Sequence, residues 1–228
     1  MVPTHKNGSK SEPTNYWPIS LISNLAKIFE KLLHKRIVDY LQKYKLLWNC
    51  QFGFRPDIGT EDSLAFVTTF LNEKLDKSAP TIAAFLDLSK AFDTVNHQIL
   101  LEKLEKIGIR GTPLKLFKNY LHERSQVVKI NNIASSQQII SVGVPQGTIL
   151  GPLLFLIYIN DIFNILTEGT IVSYADDTIV LCTAKTWNSV IKIMNECLSR
   201  VYYWMFKNQL SLNLKKSTYI IASIWELL

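Results

Sequence analysis

The chain has 228 residues, 47% of them hydrophobic, 11% aromatic and 19% charged, with a formal net charge of +6. A chain this long can bury roughly 70–75% of the surface its unfolded form exposes, so intrinsic disorder is excluded as the dominant state. Nine Gly and eight Pro spread along the chain exclude collagen-like and low-complexity classes. Three cysteines (Cys50, Cys182, Cys197), without C-x-x-C or Cys/His ligand spacing, speak against a disulfide framework and a zinc knuckle. The longest apolar run, Leu153 to Ile159, is far shorter than the ~20 residues of a membrane span, and the start MVPTHKNGSK lacks a signal-peptide apolar region. The expectation is a soluble intracellular chain, in the cytoplasm or the nucleus, with no membrane partner.

A polar lead-in runs to Pro18. From Asn24, read as an N-cap, helical spacing places Leu25, Ile28, Phe29, Leu32, Leu33, Ile37, Tyr40, Leu41 and Tyr44 on one buried stripe. The turn-like QFGFRPDIGT follows, then a second amphipathic helix from Thr60 to about Leu75. Thr81–Leu88 reads as a buried strand. After it, Phe92, Val95, Ile99, Leu100, Leu104 and Ile107 switch to helical spacing, and Gly108 supplies the stop. Val127–Asn131 and Ile139–Val144 read as paired strands around a polar loop, and Pro152 as the first residue of the helix LLFLIYINDIF. IVSYADDTIVL gives two strand halves meeting at Ala175-Asp176-Asp177. A long helix follows, with Val190, Ile193, Met194, Cys197, Leu198, Val201, Trp204 and Met205 on one face. The fold class is α+β, a mainly antiparallel sheet packed with helices.

Charge is concentrated between Glu102 and Lys129, where seven basic residues meet three acidic ones, with Phe117 and Tyr120 among them. Such a stretch suits a phosphate-tracking surface; a solvated helix face is the other reading.

Asp87 ends an apolar run, and Asp176 and Asp177 sit at the tip of a hydrophobic hairpin. Acids in such places cost stability unless their charge is compensated. Adjacent carboxylates repel, and a bound divalent cation relieves them. Oxygen ligands with no His or Cys nearby in sequence favour Mg²⁺ or Mn²⁺ over zinc, and two such ions about 3.5–4 Å apart suit an in-line phosphoryl displacement. Turn chemistry and helix capping explain the same acids without a metal. Asp93, in the helix body, reads as structural or electrostatic.

The motifs NYWPISLISNLAKIFEKLLHKRI, QFGFRPDIGTEDSL, FLDLSKAFDTVNH, GVPQGTILGPLLFLIYINDI, YADDT and LSLNLKKS occur in this order. Together they resemble the reverse-transcriptase domain of non-LTR (LINE-like) retrotransposons, jockey-type elements above all. The resemblance runs from about Val2 to Ser217. It implies a right-hand polymerase fold, with a fingers-like region over 1–80 including the lead-in, and palm over 81–228. The implied activity is that of an RNA-directed DNA polymerase, with an RNA template, a DNA primer, dNTP and two Mg²⁺ ions, Mn²⁺ being possible.

By the same resemblance Asp87, Asp176 and Asp177 are the metal-binding catalytic acids, with the Leu88 carbonyl as a further ligand. Phe92 matches the aromatic gate that excludes a ribose 2′-OH, though its periodicity also fits a core aromatic. Gln146 and Gly147 match the loop that approaches template and nucleotide. Arg55 matches a triphosphate-holding arginine, with a surface arginine as the alternative. Lys216 matches a lysine near the leaving pyrophosphate, and Lys215 beside it leaves that assignment open.

Two departures stand out. Trp17 replaces the arginine of the family's NYRPISL, removing a cationic contact. The resemblance also fades after Ser217, in the tail TYIIASIWELL. The expectation is a C-terminally truncated domain, with the endonuclease and thumb regions belonging to a longer parent polyprotein. The rival readings are a catalytically silent nucleic-acid-binding fragment and a two-metal nuclease.

Overall fold

A computed structural model of the chain describes residues 1–130 and 133–223. The expected strand end at Asn131 and the last five residues of the tail lie outside them. In chain order the elements are β1 (Val2–His5), β2 (Tyr16–Ile19), α1 (Asn24–Lys43), α2 (Thr60–Asp76), β3 (Thr81–Leu86), α3 (His97–Lys106) and α4 (Thr112–Leu121). Then come four two-residue strands, β4 (Ser125–Gln126), β5 (Lys129–Ile130), β6 (Ile133–Ala134) and β7 (Gln138–Ile139). The remainder is α5 (Leu150–Ile159), β8 (Thr170–Tyr174), β9 (Asp177–Thr183), α6 (Trp187–Lys207) and β10 (Thr218–Ala222). The α+β class is as expected.

The residues form two compact units, each built from two stretches. One holds Met1–Leu46 with Phe92–Tyr158, the other Leu47–Ala91 with the chain from Ile159 onward. Both units therefore cross residue 80.

The second unit carries the main sheet, antiparallel throughout, in the order β10-β3-β9-β8. Strands β3, β8 and β9 are rich in β-branched and apolar residues and are largely buried on both faces, whereas the edge strand β10 is mostly exposed. Ala83, Val172 and Leu181 pack with Phe52 and Val67, on the side of α2. Alternation turns Ile82, Ala84, Val180 and Cys182 the other way, and α6 packs on β3 and β9. The apolar face of α6 is buried as its spacing predicts, at Val190, Met194, Cys197, Val201, Trp204 and Met205. The three cysteines are free thiols.

In the first unit α5 is apolar all round because it is buried all round, from Leu153 through Tyr158. Four details differ from the sequence reading. Ser23, not Asn24, caps α1, its hydroxyl accepting from the Ala26 amide at 3.2 Å. Of the expected α1 stripe only Ile37 and Leu41 are buried, while Leu25, Ile28, Phe29, Leu32 and Tyr44 are exposed. The helix expected from Phe92 onward breaks into a 3-10 turn (Ala91–Thr94) and α3. Asn96 takes the cap position between them and accepts from the Ile99 amide at 3.0 Å. Pro152 is the third residue of α5 rather than its first, still within the turn whose amides need no helical acceptor.

The expected pairing of Val127–Asn131 with Ile139–Val144 is replaced by two small ladders. β4 pairs with β7, and β5 with β6. The backbone of Gly143 and Val144 turns away to bond Val95 and Phe92, so it is unavailable to a longer ladder.

Candidate active site

Strand β3 stops at Leu86, two residues short of expectation, because other partners take the backbone beyond it. The Asn213 amide donates to the Asp87 carbonyl at 2.8 Å, and the Asp87 amide donates to Ser217 Oγ at 3.2 Å. Ser217 Oγ in turn donates to the Asn213 carbonyl at 3.0 Å. Leu88 is buried and bridges Leu212, and the Ser89 amide donates to the Ser211 carbonyl at 2.8 Å. The motif LSLNLKKS is thus the clamp that seats Asp87.

The last β3–β9 ladder pair is Leu86 with Thr178. One step further along, the register leads from Asp87 to Asp177, the first residue of β9. Across the hairpin Tyr174 pairs with Asp177, leaving Ala175 and Asp176 as a two-residue turn. Ala175 has φ +57°, a left-handed conformation like that at the first central position of hairpin turns. Sheet register therefore gathers the three acids at one end of the sheet.

Their electrostatics agree. Burial pushes the Asp176 carboxyl above the usual carboxylate range, the charges of Asp177 and Asp87 raise it further, and its own backbone amide and Lys216 oppose the rise. Asp177 is likewise raised, first by desolvation and then by Asp87, with Lys216 again opposing. Lys216 is therefore within electrostatic reach of these acids, on an exposed side chain. Among the described residues no three acid, His or Cys side chains converge into a ready-made metal cage. The donor set is nevertheless oxygen-only and self-repelling, which fits a hard divalent cation rather than zinc.

Arg55, also in this unit, is half-buried. One terminal nitrogen donates to the Trp48 and Gln51 carbonyls, each at 3.0 Å, so part of its fork pins its own loop.

The first unit holds the remaining candidates. Phe92 is half-buried and stacks on Phe155, centroids 4.4 Å apart at 28°. Gln146 donates from Nε2 to Asp93 Oδ1 at 2.8 Å, while its carbonyl accepts from the Ser20 amide at 2.8 Å. Asp93, expected in a helix body, lies instead in the 3-10 turn Ala91–Thr94, and its carboxylate orients the Gln146 amide. Gly147 has φ +86°, and a Cβ there would meet Ile19 Cγ2 at 2.9 Å, so the position calls for glycine. Asp93, Arg124, Gln146 and Ser20 help line a cavity of about 370 Å³. Trp17 is exposed, with Lys6 Nζ 5.4 Å from its ring centroid.

One residue of the basic stretch must be withdrawn from any phosphate surface. Lys103 is buried, donates to the Tyr158 carbonyl and lies 4.8 Å from the Tyr158 ring centroid. Lys115 and Lys118 are exposed.

Besides Asn213 and Ser217, two residues escaped the sequence reading. Glu30 is buried on α1, and Oε2 accepts from the Ile149 and Leu150 amides at 2.8 and 3.2 Å. Its Oε1 accepts from the Tyr120 hydroxyl at 2.8 Å. It thereby anchors the far end of the Gln146–Gly147 loop and the start of α5. Gln51, at the head of QFGFRP, is buried against the Asp176 turn. No local signal marked either, since Glu30 stands among Lys27 and Lys31 and Gln51 follows Asn49 at the start of a turn-like segment.

Comparison with known proteins accords with this geometry. The family described as Reverse transcriptase (RNA-dependent DNA polymerase) matches residues 4–225. The RNA-directed DNA polymerase from mobile element jockey of Drosophila melanogaster is 32% identical over 223 residues, covering 93% of this chain and 24% of that protein. The probable RNA-directed DNA polymerase from transposon BS of the same organism is 30% identical over 221 residues, with the same coverage. The chain thus spans about a quarter of the length of these relatives. Among solved structures, apo telomerase from Candida tropicalis, truncated from its C-terminal domain, superposes with a TM-score of 0.63 at 15% identity. It covers 90% of this chain and 46% of its own, a likeness of fold. With its acids on a palm-type sheet and its motifs matched almost end to end, the chain belongs to the reverse transcriptase family, in the branch found in non-LTR retrotransposons.

Proposed function

We propose that the chain is the polymerase module of an RNA-directed DNA polymerase, extending a DNA primer on an RNA template by nucleotidyl transfer from dNTP. The observation that carries this reading is the strand register that brings Asp87, Asp176 and Asp177 together at one end of an antiparallel sheet. The three acids, with the Leu88 carbonyl, would hold two Mg²⁺ ions, or Mn²⁺. Bound there, the ions supply activation of the primer 3′-OH and neutralisation of charge developing on the pyrophosphate.

The chain's own groups do the rest. The Phe92 ring, held by Phe155, excludes a ribose 2′-OH and so selects dNTP over rNTP. Gln146, its amide oriented by Asp93, and Gly147, with no side chain, face the template and incoming base. The uncommitted donors of Arg55 take triphosphate oxygens. Lys216, with Lys215 beside it, meets the leaving pyrophosphate. Residues 1–80 serve as fingers and 81–228 as palm. The module acts in the cytoplasm or nucleus as part of a longer polyprotein that also carries endonuclease and thumb regions.

The test is one gel of purified chain with an end-labelled DNA primer on an RNA template, Mg²⁺ and dNTPs. Lengthening supports the reading, and shortening favours a two-metal nuclease. No change in a folded chain favours a silent nucleic-acid-binding protein.

A further inference from the structure

Gln51 opens QFGFRP, a segment in which only Arg55 has so far had a role. Its side chain is 0% exposed. Oε1 accepts from the Gly53 amide at 2.9 Å and from the Ala175 amide at 3.1 Å. The backbone around it lies along β8 as a short parallel strand. Phe52 donates to the Ser173 carbonyl at 2.8 Å, and Ser173 donates to the Cys50 carbonyl at 2.9 Å. A Cβ on Gly53 would lie 2.2 Å from the Ala175 nitrogen, so only glycine permits the approach.

Nε2 of Gln51 is buried with no hydrogen-bond partner. Cores rarely leave a buried donor unpaired, and a methionine would occupy similar volume without that cost. What glutamine offers over an apolar residue is therefore its oxygen. That oxygen goes to the one residue of the catalytic turn with a left-handed backbone, Ala175 at φ +57°, a conformation costly for a residue with a Cβ. Asp176 is the next residue.

We infer that Gln51 is a positioning residue for nucleotidyl transfer, its side-chain oxygen fixing the turn that aims Asp176. The inference rests on the polymerase reading above. Gln51→Met removes both the oxygen and the orphan nitrogen. The loss of two hydrogen bonds should speed exchange of the Gly53 and Ala175 amides by about tenfold or more, leaving Val180 and Leu181 in β9 unchanged. The Mg²⁺ concentration for half-maximal dNTP incorporation should rise about tenfold, at constant affinity for the primer–template duplex. The Mg²⁺-induced rise in Tm of the chain alone should shrink in parallel. Gln51→Glu, which keeps an oxygen acceptor, should retain the amide protection.

A purely structural role would loosen β8 and β9 together and reduce the folded, active fraction without moving the Mg²⁺ dependence. If Gln51→Met does not fold, Gly53→Ala displaces Ala175 with Gln51 intact and decides on the same readouts. Faster exchange at Gly53 and Ala175 with an unchanged Mg²⁺ dependence overturns the inference and leaves the polymerase reading standing. A wild-type chain that neither responds to Mg²⁺ nor extends a primer refutes both.

Discussion

Replacing Glu30 by alanine removes the acceptor of three donors at once, the Ile149 and Leu150 amides and the Tyr120 hydroxyl. The two amides belong to the first turn of α5, where backbone donors have no helical partner of their own. A buried donor left unpaired costs roughly 1–3 kcal/mol, and losing an anion from a partly buried helix N-terminus costs up to ~2 kcal/mol more. Water entering the space left by the side chain recovers some of this, so a net loss of about 3 kcal/mol is expected. For a chain of this size that lowers Tm by roughly 6–12 °C. Thermal and urea unfolding of the wild type, Glu30→Gln, Glu30→Ala, Tyr120→Phe and the Glu30→Ala/Tyr120→Phe double variant would measure it. Glu30→Gln, which keeps one oxygen, should fall between the wild type and Glu30→Ala. The two single losses should be non-additive by about 1 kcal/mol, because they share one hydrogen bond. A Glu30→Ala Tm within about 1 °C of wild type, or strict additivity, would refute this reasoning.

Three further outcomes are expected. Burial, reinforced by Glu30, pushes the Tyr120 phenol up to about 12, against an opposing pull from Arg124. The folded chain holds that proton after the unfolded chain has released it, so this contribution is present below about pH 10 and lost as pH rises towards 12. Wild-type stability in urea should therefore fall across this window by up to about 3 kcal/mol more than that of Tyr120→Phe. Phe92→Val should relax discrimination against rNTP by about 10–200-fold in competitive incorporation, and unchanged rejection would return Phe92 to a purely core role. If Lys115 and Lys118 contact single-stranded template phosphates, the double alanine variant should flatten the slope of log affinity against log salt by about 1.4. An unchanged slope would remove them from the RNA surface.

The fold was legible where periodicity and burial coincide. The α6 stripe and the YADD hairpin emerge as their spacing implies, and the β3 run does so as far as Leu86, because each buries a continuous apolar surface. Legibility failed where a segment's partner lies far away in sequence. The early α1 stripe is apolar yet exposed, which no local pattern distinguishes from a buried stripe. The 125–144 ladders shortened because Gly143 and Val144 bond to Val95 and Phe92 instead. The acids of the site were visible as charges out of place on apolar strands. Their supports, Gln51, Asn213 and Ser217, were not, nor was Glu30 under the start of α5, since such clamps are defined by contacts more than a hundred residues apart. Lys103 shows the converse, a cation within a basic run that folding turned inward onto Tyr158.

Single-nucleotide incorporation by Asp176→Asn against the wild type tests the central claim most directly. Burial and neighbouring charges raise the Asp176 carboxyl in the folded state, so its ionised form costs stability as pH rises through that raised value. The asparagine variant should therefore be at least as stable as the wild type at neutral pH, and any loss of activity is not a loss of fold. The account predicts dNTP addition to a DNA primer on RNA template by the wild type, and none by a folded Asp176→Asn chain. Undiminished addition by that variant would contradict it.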